Sequence, residues 1–335
     1  MTHPRILLRY TSLIEEGLFS ALQGDSLLYT ILRYHMGLED GRGVQARGKL
    51  LRSRLLLFTA EELGTDPETA LPGALALEFV HNFSLIHDDI QDNDAVRRGQ
   101  QTVWLRYGIG QAINAGDLMQ GLAVAQAALV GEDAVVALVE ATMEMIEGQA
   151  LDLAFEREKV GTEPYLGMID KKTGALIRAA FRLGGLLAGA AADVVKDLVE
   201  LGQDLGRVFQ IRDDMLGIWG DGTETGKPHG SDIRRRKKSL PIVIAMADAA
   251  GNAIGSATGD ERVLLQEIYA KKTIDDADVK RVIDVLDRLN VHQECEEQVN
   301  SHLNRADERI AALPFSQQGR EEIRELIDYL ARRER

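Results

Sequence analysis

The chain has 335 residues, of which 45% are hydrophobic and 27% are charged, an ordinary composition for a globular protein with a large core. It carries 39 Lys and Arg against 53 Asp and Glu, a formal net charge of -14 at pH 7. Such an acidic balance argues against nucleic acid or an anionic membrane as the main partner. The single cysteine, Cys295, excludes an intrachain disulfide and fits a reducing cytoplasmic compartment.

The amino-terminal residues lack the apolar stretch and the small-residue cleavage site of a signal peptide. Elsewhere the longest apolar runs are interrupted by charged residues or proline, and they fall short of the roughly 20 residues that span a bilayer. We therefore expect no stable membrane insertion.

Apolar residues recur with a period near 3.6 in almost every segment between glycines and prolines, and this pattern predicts an all-α fold. In chain order, we expect helices over residues 11–22, 27–36, 49–64, from 66 into the first acidic motif, 102–107, 111–130, 134–158, from 165, 193–217, from 241, and over the charged remainder to 335. Loops are expected at residues 41–48, 108–110, 161–164, 220–230 and 251–259. The candidate functional residues run on without a linker, so one domain over residues 1–335 is expected.

Residues 85–101 read LIHDDIQDNDAVRRGQQ and place three carboxylates, Asp88, Asp89 and Asp92, within about one helical turn. On a helix, Asp88 and Asp92 project from the same face. Carboxylates this close repel each other unless a cation lies between them, and Mg²⁺ prefers such oxygen ligands. The pattern alone is also typical of a solvated helix end. However, the apolar run before it predicts partial burial, and buried carboxylates need partners.

A second acidic pair, Asp213 and Asp214, lies in another apolar segment. Two acidic sites with basic residues nearby suggest metal ions that hold a polyanion such as a diphosphate. Arg97 and Arg98 follow the first site, and the planar guanidinium group suits phosphate oxygens, although surface ion pairing is the ordinary interpretation of such residues. The five consecutive basic residues at 234–238 are more typical of a solvated stretch than of a site.

Several segments together resemble the motifs of the trans-isoprenyl diphosphate synthases, or polyprenyl synthetases, in the family's order and over nearly the whole chain. They are GKLLR at residues 48–52, HNFSLIHDDIQDNDAVRRGQQT at 81–102, GQALDL at 148–153, KTG at 172–174, FQIRDD at 209–214, TGK at 225–227 and SDIRRRKKSLP at 231–241. The resemblance implies an all-α bundle of ten or more helices around a central cavity, usually as a homodimer.

The resemblance also implies roles for individual residues. The acids of the two motifs would bind three Mg²⁺ ions on the diphosphate of an allylic substrate, with Asp88, Asp92 and Asp213 as direct ligands and Asp89 and Asp214 in support. The other residues expected to contact or lie near this diphosphate are Arg97, Gln149, Asp152, Lys172, Lys227 and Lys237. Isopentenyl diphosphate would be held by Lys49, Arg52, His81 and Arg98. Thr173 and Gln210 match positions near the reacting carbons.

The second motif departs from the family pattern in its last place, where Gly217 stands instead of the usual aspartate. Because the first acid of this motif is the expected ligand, the departure predicts weaker metal binding or altered water structure rather than loss of activity. Asp221, one turn further on, is a candidate replacement, and an ordinary loop acid is the alternative.

Product length is expected to depend on the depth of the cavity. Phe83 lies five residues before Asp88, roughly 7.5 Å further along a helix axis. An aromatic residue at this position forms a floor in the family, and Ser84 beside it is small. This favours a short-chain synthase of the geranylgeranyl diphosphate type, which would extend dimethylallyl, geranyl or farnesyl diphosphate.

Three alternatives remain open from the sequence. Farnesyl diphosphate is the next product by length. A class I terpene cyclase would use the same metal-assisted ionisation, but the residues expected to hold isopentenyl diphosphate argue against it. A non-catalytic subunit of a related synthase is expected to lose its acidic pairs, and both remain here.

Overall fold

The computed structural model describes residues 3–38, 48–156, 158–220, 229–246 and 259–332. Most of these residues are helical, and within the described ranges the strands are limited to the two-residue antiparallel pair β1 (Val96–Arg97) and β2 (Gln100–Gln101). The prediction of an all-α fold is confirmed. Among these same residues, no helix has both the length and the apolar character that crossing a bilayer requires.

The chain divides into two compact units, each made from several stretches of sequence. Unit 1 contains Met1–Met143, Leu176–Gly202 and Ala312–Leu326. Unit 2 contains Glu144–Ala175, Gln203–Ala311 and Ile327–Arg335. The expected single domain over residues 1–335 stays a prediction.

The described residues form seventeen α-helices. In chain order they are α1 (Ile6–Arg9), α2 (Thr11–Ala21), α3 (Leu27–His35), α4 (Leu51–Glu62), α5 (Pro67–Gln91), α6 (Val103–Tyr107), α7 (Ile109–Ala128), α8 (Glu132–Phe155), α9 (Thr162–Ile169), α10 (Ala175–Leu187), α11 (Ala192–Trp219), α12 (Ser231–Arg234), α13 (Leu240–Met246), α14 (Gly259–Ala270), α15 (Asp276–Arg288), α16 (Val291–Ala312) and α17 (Gln317–Ala331). A π-helix, Asp170–Gly174, connects α9 to α10.

Helix α5, which has 25 residues and carries the first acidic motif, begins at the residue that the sequence predicts. Asp66 caps it by accepting a hydrogen bond from the backbone amide of Glu68, and Pro67 is its first residue. The helix packs against α4 and α7, and its Phe79 is fully buried, as is Phe58 of α4. This packing fixes the carboxyl end of α5, where the first acidic motif lies.

Unit 2 has its own apolar core around the second half of α11. Val208, Ile211, Met215 and Ile218 recur at helical spacing and are at most 4% exposed. They pack with buried side chains of α13 and α15. Because one face of α11 is buried in this way, Asp213 and Asp214 are held on a rigid element.

The structure differs from the predicted boundaries in several places. Gly108, with φ 86°, ends α6 and α7 begins at the next residue, because a glycine at positive φ turns the chain in a single step. The turn expected at residues 161–164 is already the start of α9, where Pro164 is tolerated in the first turn. The charged remainder forms four helices, α14 to α17. The loops expected at 41–48, 220–230 and 251–259 lie wholly or largely outside the described residues.

Candidate functional site

The first acidic motif forms the last turn of α5 in unit 1. The backbone amide of Asp92 donates to the carbonyl of Asp88 at 2.8 Å, so these two residues lie one above the other on the same helical face, as predicted. Asp88 is half-buried and Asp92 is exposed, whereas the carboxylate between them in sequence, Asp89, is buried. The motif therefore has two accessible carboxylates on one face of α5 and a third carboxylate that is buried in unit 1.

Asp89 is fixed by the hairpin that follows α5. The Nε atom of Arg97 donates to Asp89 Oδ1 at 2.6 Å, and the two groups form an ion pair. Burial raises the pKa of Asp89, and the attraction of Arg97 only partly offsets this. Its second oxygen, Oδ2, is buried without a hydrogen-bond partner in the part of the chain that the structure describes. Asp89 thus ties Arg97 to α5.

Two further arginines bring unsatisfied donors to the same unit. The Nε atom of Arg52 and the Nη1 atom of Arg98 are buried, and neither has a hydrogen-bond partner among the described residues. Burial lowers the pKa of Arg52 to about 10, so the guanidinium group still carries its charge at neutral pH. Buried charged donors of this kind cost free energy unless an anion meets them. They are therefore suited to phosphate oxygens.

The backbone before α4 approaches one of these guanidinium groups closely. Gly48 has φ 74°, and a Cβ atom there would lie 3.0 Å from Arg98 Nη2. Lys49 is exposed, and its carbonyl accepts a hydrogen bond from Arg54 Nη1 at 2.8 Å. Arg54, to which sequence reasoning assigned no role, therefore holds the backbone of the segment that carries Lys49.

The carboxylate of Glu78 is buried and interacts electrostatically with Arg52 and Arg98. It is 1% exposed and accepts hydrogen bonds from Ser53 Oγ at 3.3 Å and Asn82 Nδ2 at 3.2 Å. Burial raises its pKa, and the attraction of Arg52 and Arg98 opposes the rise. Sequence reasoning did not select Glu78; the signal available was a single acid within an otherwise apolar stretch of α5.

Two histidines of this unit are held in the neutral form. Burial, followed by the repulsion of nearby arginines, lowers the pKa of His81 well below its ordinary value. His35 is 5% exposed, and its Nε2 atom lies 3.2 Å from Asn82 Oδ1. Burial and the same arginines lower its pKa to about 3. A neutral His81 can offer a hydrogen bond to an anion without adding charge.

We expect acid to destabilise unit 1 through His35. Since the pKa of His35 falls from about 6.5 in the unfolded chain to about 3 in the folded one, the unfolded state binds more protons between these values. The free energy of unfolding should therefore decrease as pH falls through this window, by about 2 kcal/mol between pH 7 and pH 5. Urea titrations of wild type and His35→Gln at both pH values measure it. His292→Gln, at an exposed position, is the control, and an equal pH dependence in all three proteins would contradict the prediction.

Phe83 is buried one turn before the acidic motif. It is 4% exposed, and its ring meets that of His87 edge-on with centroids 5.7 Å apart. His87 in turn lies against Gly116 of α7, where a Cβ atom would come within 2.2 Å of the imidazole. Ser84 donates its hydroxyl hydrogen to the carbonyl of His81 at 2.7 Å. The aromatic side chain at 83 is thus supported by a second ring and by close packing of α5 on α7.

In unit 2, the two neighbouring acids of α11 have different surroundings. Asp213 is half-buried, whereas Asp214 is fully buried and accepts four hydrogen bonds. The donors to Asp214 are Tyr165 Oη at 2.6 Å, Gln210 Nε2 at 3.0 Å, Leu240 N at 3.0 Å and Lys237 Nζ at 3.1 Å. With its oxygens occupied in this way, Asp214 acts as a support, and Asp213 is the more accessible of the two carboxylates.

The π-helix places Lys172 and Thr173 in the same unit. Lys172 forms an ion pair with Asp152 of α8, and Thr173 donates its hydroxyl hydrogen to Gln210 Oε1 at 2.7 Å. Because Gln210 also donates to Asp214, the orientation of its amide is fixed from both sides. Gly148 makes the arrangement feasible, since a Cβ atom there would lie 2.2 Å from the backbone nitrogen of Lys172. Gln149, the next residue, is half-buried.

The basic run at 234–238 is only partly solvated. Lys237 is half-buried and lies 3.1 Å from Asp214 Oδ1 and 3.7 Å from Asp232 Oδ2. Burial alone would lower its pKa, but these acids outweigh burial and raise it well above the ordinary value. Lys238 donates to the carbonyl oxygens of Phe155 and Glu158. The interpretation of this run as a solvated stretch is therefore wrong for its last two residues.

The residues present fit Mg²⁺ with a bound diphosphate rather than a metal held by protein alone. Over the described ranges, no group of three or more His, Cys, Asp or Glu side chains is arranged to hold a metal ion. Mg²⁺ typically takes only one or two carboxylates and completes its coordination with water and substrate phosphate oxygens. In unit 1, Asp88 and Asp92 on one face of α5 are such a pair, and in unit 2 Asp213 is an accessible carboxylate on α11.

Two expected residues, Lys227 and Asp221, lie outside the described residues. Within them, the contacts that sequence reasoning missed belong chiefly to Glu78, Tyr165 and Asp232. Tyr165 gave no signal, because a tyrosine near the start of a helix is ordinary, and its partner Asp214 is 49 positions away.

Comparison with known proteins decides the family. The profile of the polyprenyl synthetase family matches residues 42–286. The chain belongs to the polyprenyl synthetase family. This confirms the assignment made from the motifs, and it confirms an enzyme of the trans-prenyltransferase class.

Individual polyprenyl synthetases are similar over most of their length. The (2E,6E)-farnesyl diphosphate synthase of Mycobacterium tuberculosis is 36% identical over 322 residues, 92% of this chain and 87% of the relative. The geranylgeranyl diphosphate synthase of Saccharolobus solfataricus is 37% identical and covers 85% of both chains. The crystal structure of a geranylgeranyl pyrophosphate synthetase from Pyrococcus horikoshii aligns with a TM-score of 0.87 at 32% identity, over 98% of both chains. These relatives make different products, so the family does not by itself fix the product of this one.

Proposed function

We propose that this polyprenyl synthetase condenses isopentenyl diphosphate with an allylic diphosphate and releases geranylgeranyl diphosphate as its main product. The observation that carries the proposal is the pair of buried, unsatisfied nitrogen atoms on Arg52 and Arg98, in the unit whose α5 ends in the first acidic motif. Buried charged donors that lack a protein partner are suited to the oxygens of a diphosphate. The family membership supports the same reaction class.

In this proposal the two acidic motifs act on the allylic diphosphate. Asp88, Asp92 and Asp213 would hold three Mg²⁺ ions, with Arg97, Lys172 and Lys237 as cations around the same group and Lys227, Gln149 and Asp152 as further contacts. When bound, Mg²⁺ neutralises the charge that develops on diphosphate as the allylic carbon–oxygen bond breaks. Asp89, through its ion pair with Arg97, and Asp214, whose two oxygens accept hydrogen bonds, would keep the cations and helices in place.

Isopentenyl diphosphate would be held by Arg52, Arg98, Lys49 and the neutral His81. Its alkene would attack the allylic cation, and a proton would then leave the new product. Thr173 and Gln210, whose side chains are fixed by their mutual hydrogen bond, would direct their oxygen dipoles at the positive charge. No side chain is assigned as the base, and the released diphosphate would take the proton.

The assembly and compartment of the enzyme are also proposals. Unit 1 exposes apolar side chains at helical spacing on α7 (Ile109 and Ile113) and on α8 (Val136, Val139 and Met143), each at least 38% exposed. A second copy covering this surface would give the homodimer expected for the family. A single domain over residues 1–335 in the cytoplasm, with no nucleic-acid or membrane partner, completes the proposal.

The test is product analysis of the purified chain. It is incubated with Mg²⁺, isopentenyl diphosphate and either dimethylallyl, geranyl or farnesyl diphosphate, and the products are sized by mass spectrometry. Elongation that stops at geranylgeranyl diphosphate supports the proposal, and elongation that stops at farnesyl diphosphate corrects the product. A cyclic hydrocarbon formed without isopentenyl diphosphate would indicate a terpene cyclase. No product with any starter would indicate a non-catalytic subunit.

Phe83→Ala should lengthen the product by about one isoprene unit or more. Removing the ring opens space at the position where the growing chain is expected to stop, and the ring of His87, which packs closely on Gly116, loses its contact there. Mass spectrometry of products from the wild type and Phe83→Ala measures the shift, and Phe79→Ala, one turn earlier on α5, serves as the cavity control. An unchanged product would remove Phe83 from the role of floor.

A further inference from the structure

The second acidic motif ends in Gly217 where the family usually has a third aspartate, and the structure shows what occupies that space. A Cβ atom on Gly217 would lie 2.3 Å from Asp232 Oδ2 and 2.4 Å from Asp232 Cγ. These distances are far below van der Waals contact, so no side chain fits at 217 while Asp232 keeps its place. The carboxylate of Asp232 thus stands where a side chain on α11 would begin.

Asp232 is held in this place by its own segment. It is 5% exposed, and its carbonyl accepts a hydrogen bond from the backbone amide of Lys237 at 2.9 Å. Gly230, with φ 69°, turns the chain just before it, and a Cβ atom on Gly230 would come within 2.4 Å of Val279 Cγ1. Because the backbone of Asp232 is fixed by this turn, a larger residue at 217 requires the Asp232 side chain to leave its present position.

The charge of Asp232 acts on the same cation as the motif itself. Lys237 Nζ lies 3.7 Å from Asp232 Oδ2 and 3.1 Å from Asp214 Oδ1. One ammonium group therefore joins the fully buried acid of α11 to the acid that approaches Gly217. Without Asp232, a single buried carboxylate would have to orient Lys237.

We propose that Asp232 replaces the missing third acid of the second motif and positions Lys237 beside Asp214, with Gly217 as the small residue that admits it. The inference deepens the proposed function and rests on it. Asp232 is a positioning residue in this account: its carboxylate sets the place and charge balance of Lys237, and through it the affinity of the motif for metal with diphosphate. The weaker metal binding expected from the sequence D-D-x-x-G is thereby offset by a carboxylate from a different part of the chain.

The test uses Mn²⁺ as a spectroscopic substitute for Mg²⁺ and inorganic diphosphate as the anion, so that no turnover is needed. Electron paramagnetic resonance titrations give the affinity of the full-length chain for Mn²⁺. Asp232→Asn, which keeps the shape and removes the charge, should weaken binding by about tenfold, the loss typical of groups that support metal ligands. Asp276→Asn, an exposed acid paired with Arg234, is the matched control and should stay within about twofold of wild type.

Two variants that move the acid from position 232 to position 217 distinguish a positioning role of Asp232 from a purely structural one. Gly217→Asp alone should lower both the melting temperature and Mn²⁺ affinity, because two carboxylates would compete for one space. Gly217→Asp combined with Asp232→Gly returns the acid to α11 and should recover most of both losses. Unchanged Mn²⁺ binding in Asp232→Asn, or a double variant no better than Gly217→Asp, would overturn the inference. Failure of wild type to elongate any starter would instead count against the proposed function.

Discussion

Asp88→Asn is expected to lower the rate of condensation by about 100- to 1,000-fold, the range seen when one preorganised group that stabilises a developing charge is removed. The residue is half-buried at the end of α5, and an amide of the same size fills the same space. The fold should therefore persist while the helix face proposed to bind Mg²⁺ loses one of its two accessible carboxylates. Steady-state rates at saturating Mg²⁺, with circular dichroism to verify folding, measure the effect.

Glu68→Gln is the matched control for this prediction. It also removes one carboxylate from α5, but at the exposed first turn, about five turns from Asp88. Its rate should equal that of wild type. If Asp88→Asn kept more than about a tenth of the wild-type rate, Asp88 would not be a metal ligand of the reaction.

Asp214→Ala is expected to lower the free energy of unfolding by about 3 kcal/mol, because each buried donor left without its acceptor costs roughly 1–3 kcal/mol. The substitution removes at once the acceptor of Tyr165, of the Gln210 amide, of the Leu240 backbone amide and of Lys237. Lys237 is partly exposed and can reach water, so its share of the cost is reduced.

The neighbouring residue provides the control for this second prediction. Asp213 is half-buried, and Asp213→Ala should cost less than about 1 kcal/mol. Both variants are expected to lose activity, so urea denaturation distinguishes a support from an accessible ligand. Equal denaturation midpoints for the two variants would show that the hydrogen bonds of Asp214 do not stabilise unit 2.

The sequence predicted the acidic motifs well because their signal is local. Asp88 and Asp92 need only the regular geometry of α5 to share a face, and the helix boundary is set by Asp66 and Pro67 at its other end. The helical period likewise predicted the buried face of α11. In each case a few neighbouring residues determine the feature.

The buried partners of the motifs were not predictable in the same way. Tyr165 reaches Asp214 across 49 positions, and Ser53 reaches Glu78 across 25. Such contacts depend on how helices pack, which composition and spacing do not specify. The run at 234–238 makes the same point, since five consecutive basic residues differ in burial only because the chain folds Lys237 and Lys238 inward.

The π-helix at Asp170–Gly174 bears on how this segment can change in length. A π-helix places one more residue in its turn than an α-helix does, so deleting a single residue here would restore regular α geometry. The flanking helices would keep their orientation, because the π turn is what accommodates the extra residue, but the side chains within the turn would point in new directions. Lys172 would then lose its ion pair with Asp152, and Thr173 would lose its hydrogen bond to Gln210. The backbone of the turn would also lose its close contact with Gly148. Point substitutions near this segment are compatible with its geometry, but its length is constrained by the contacts that Lys172 and Thr173 make.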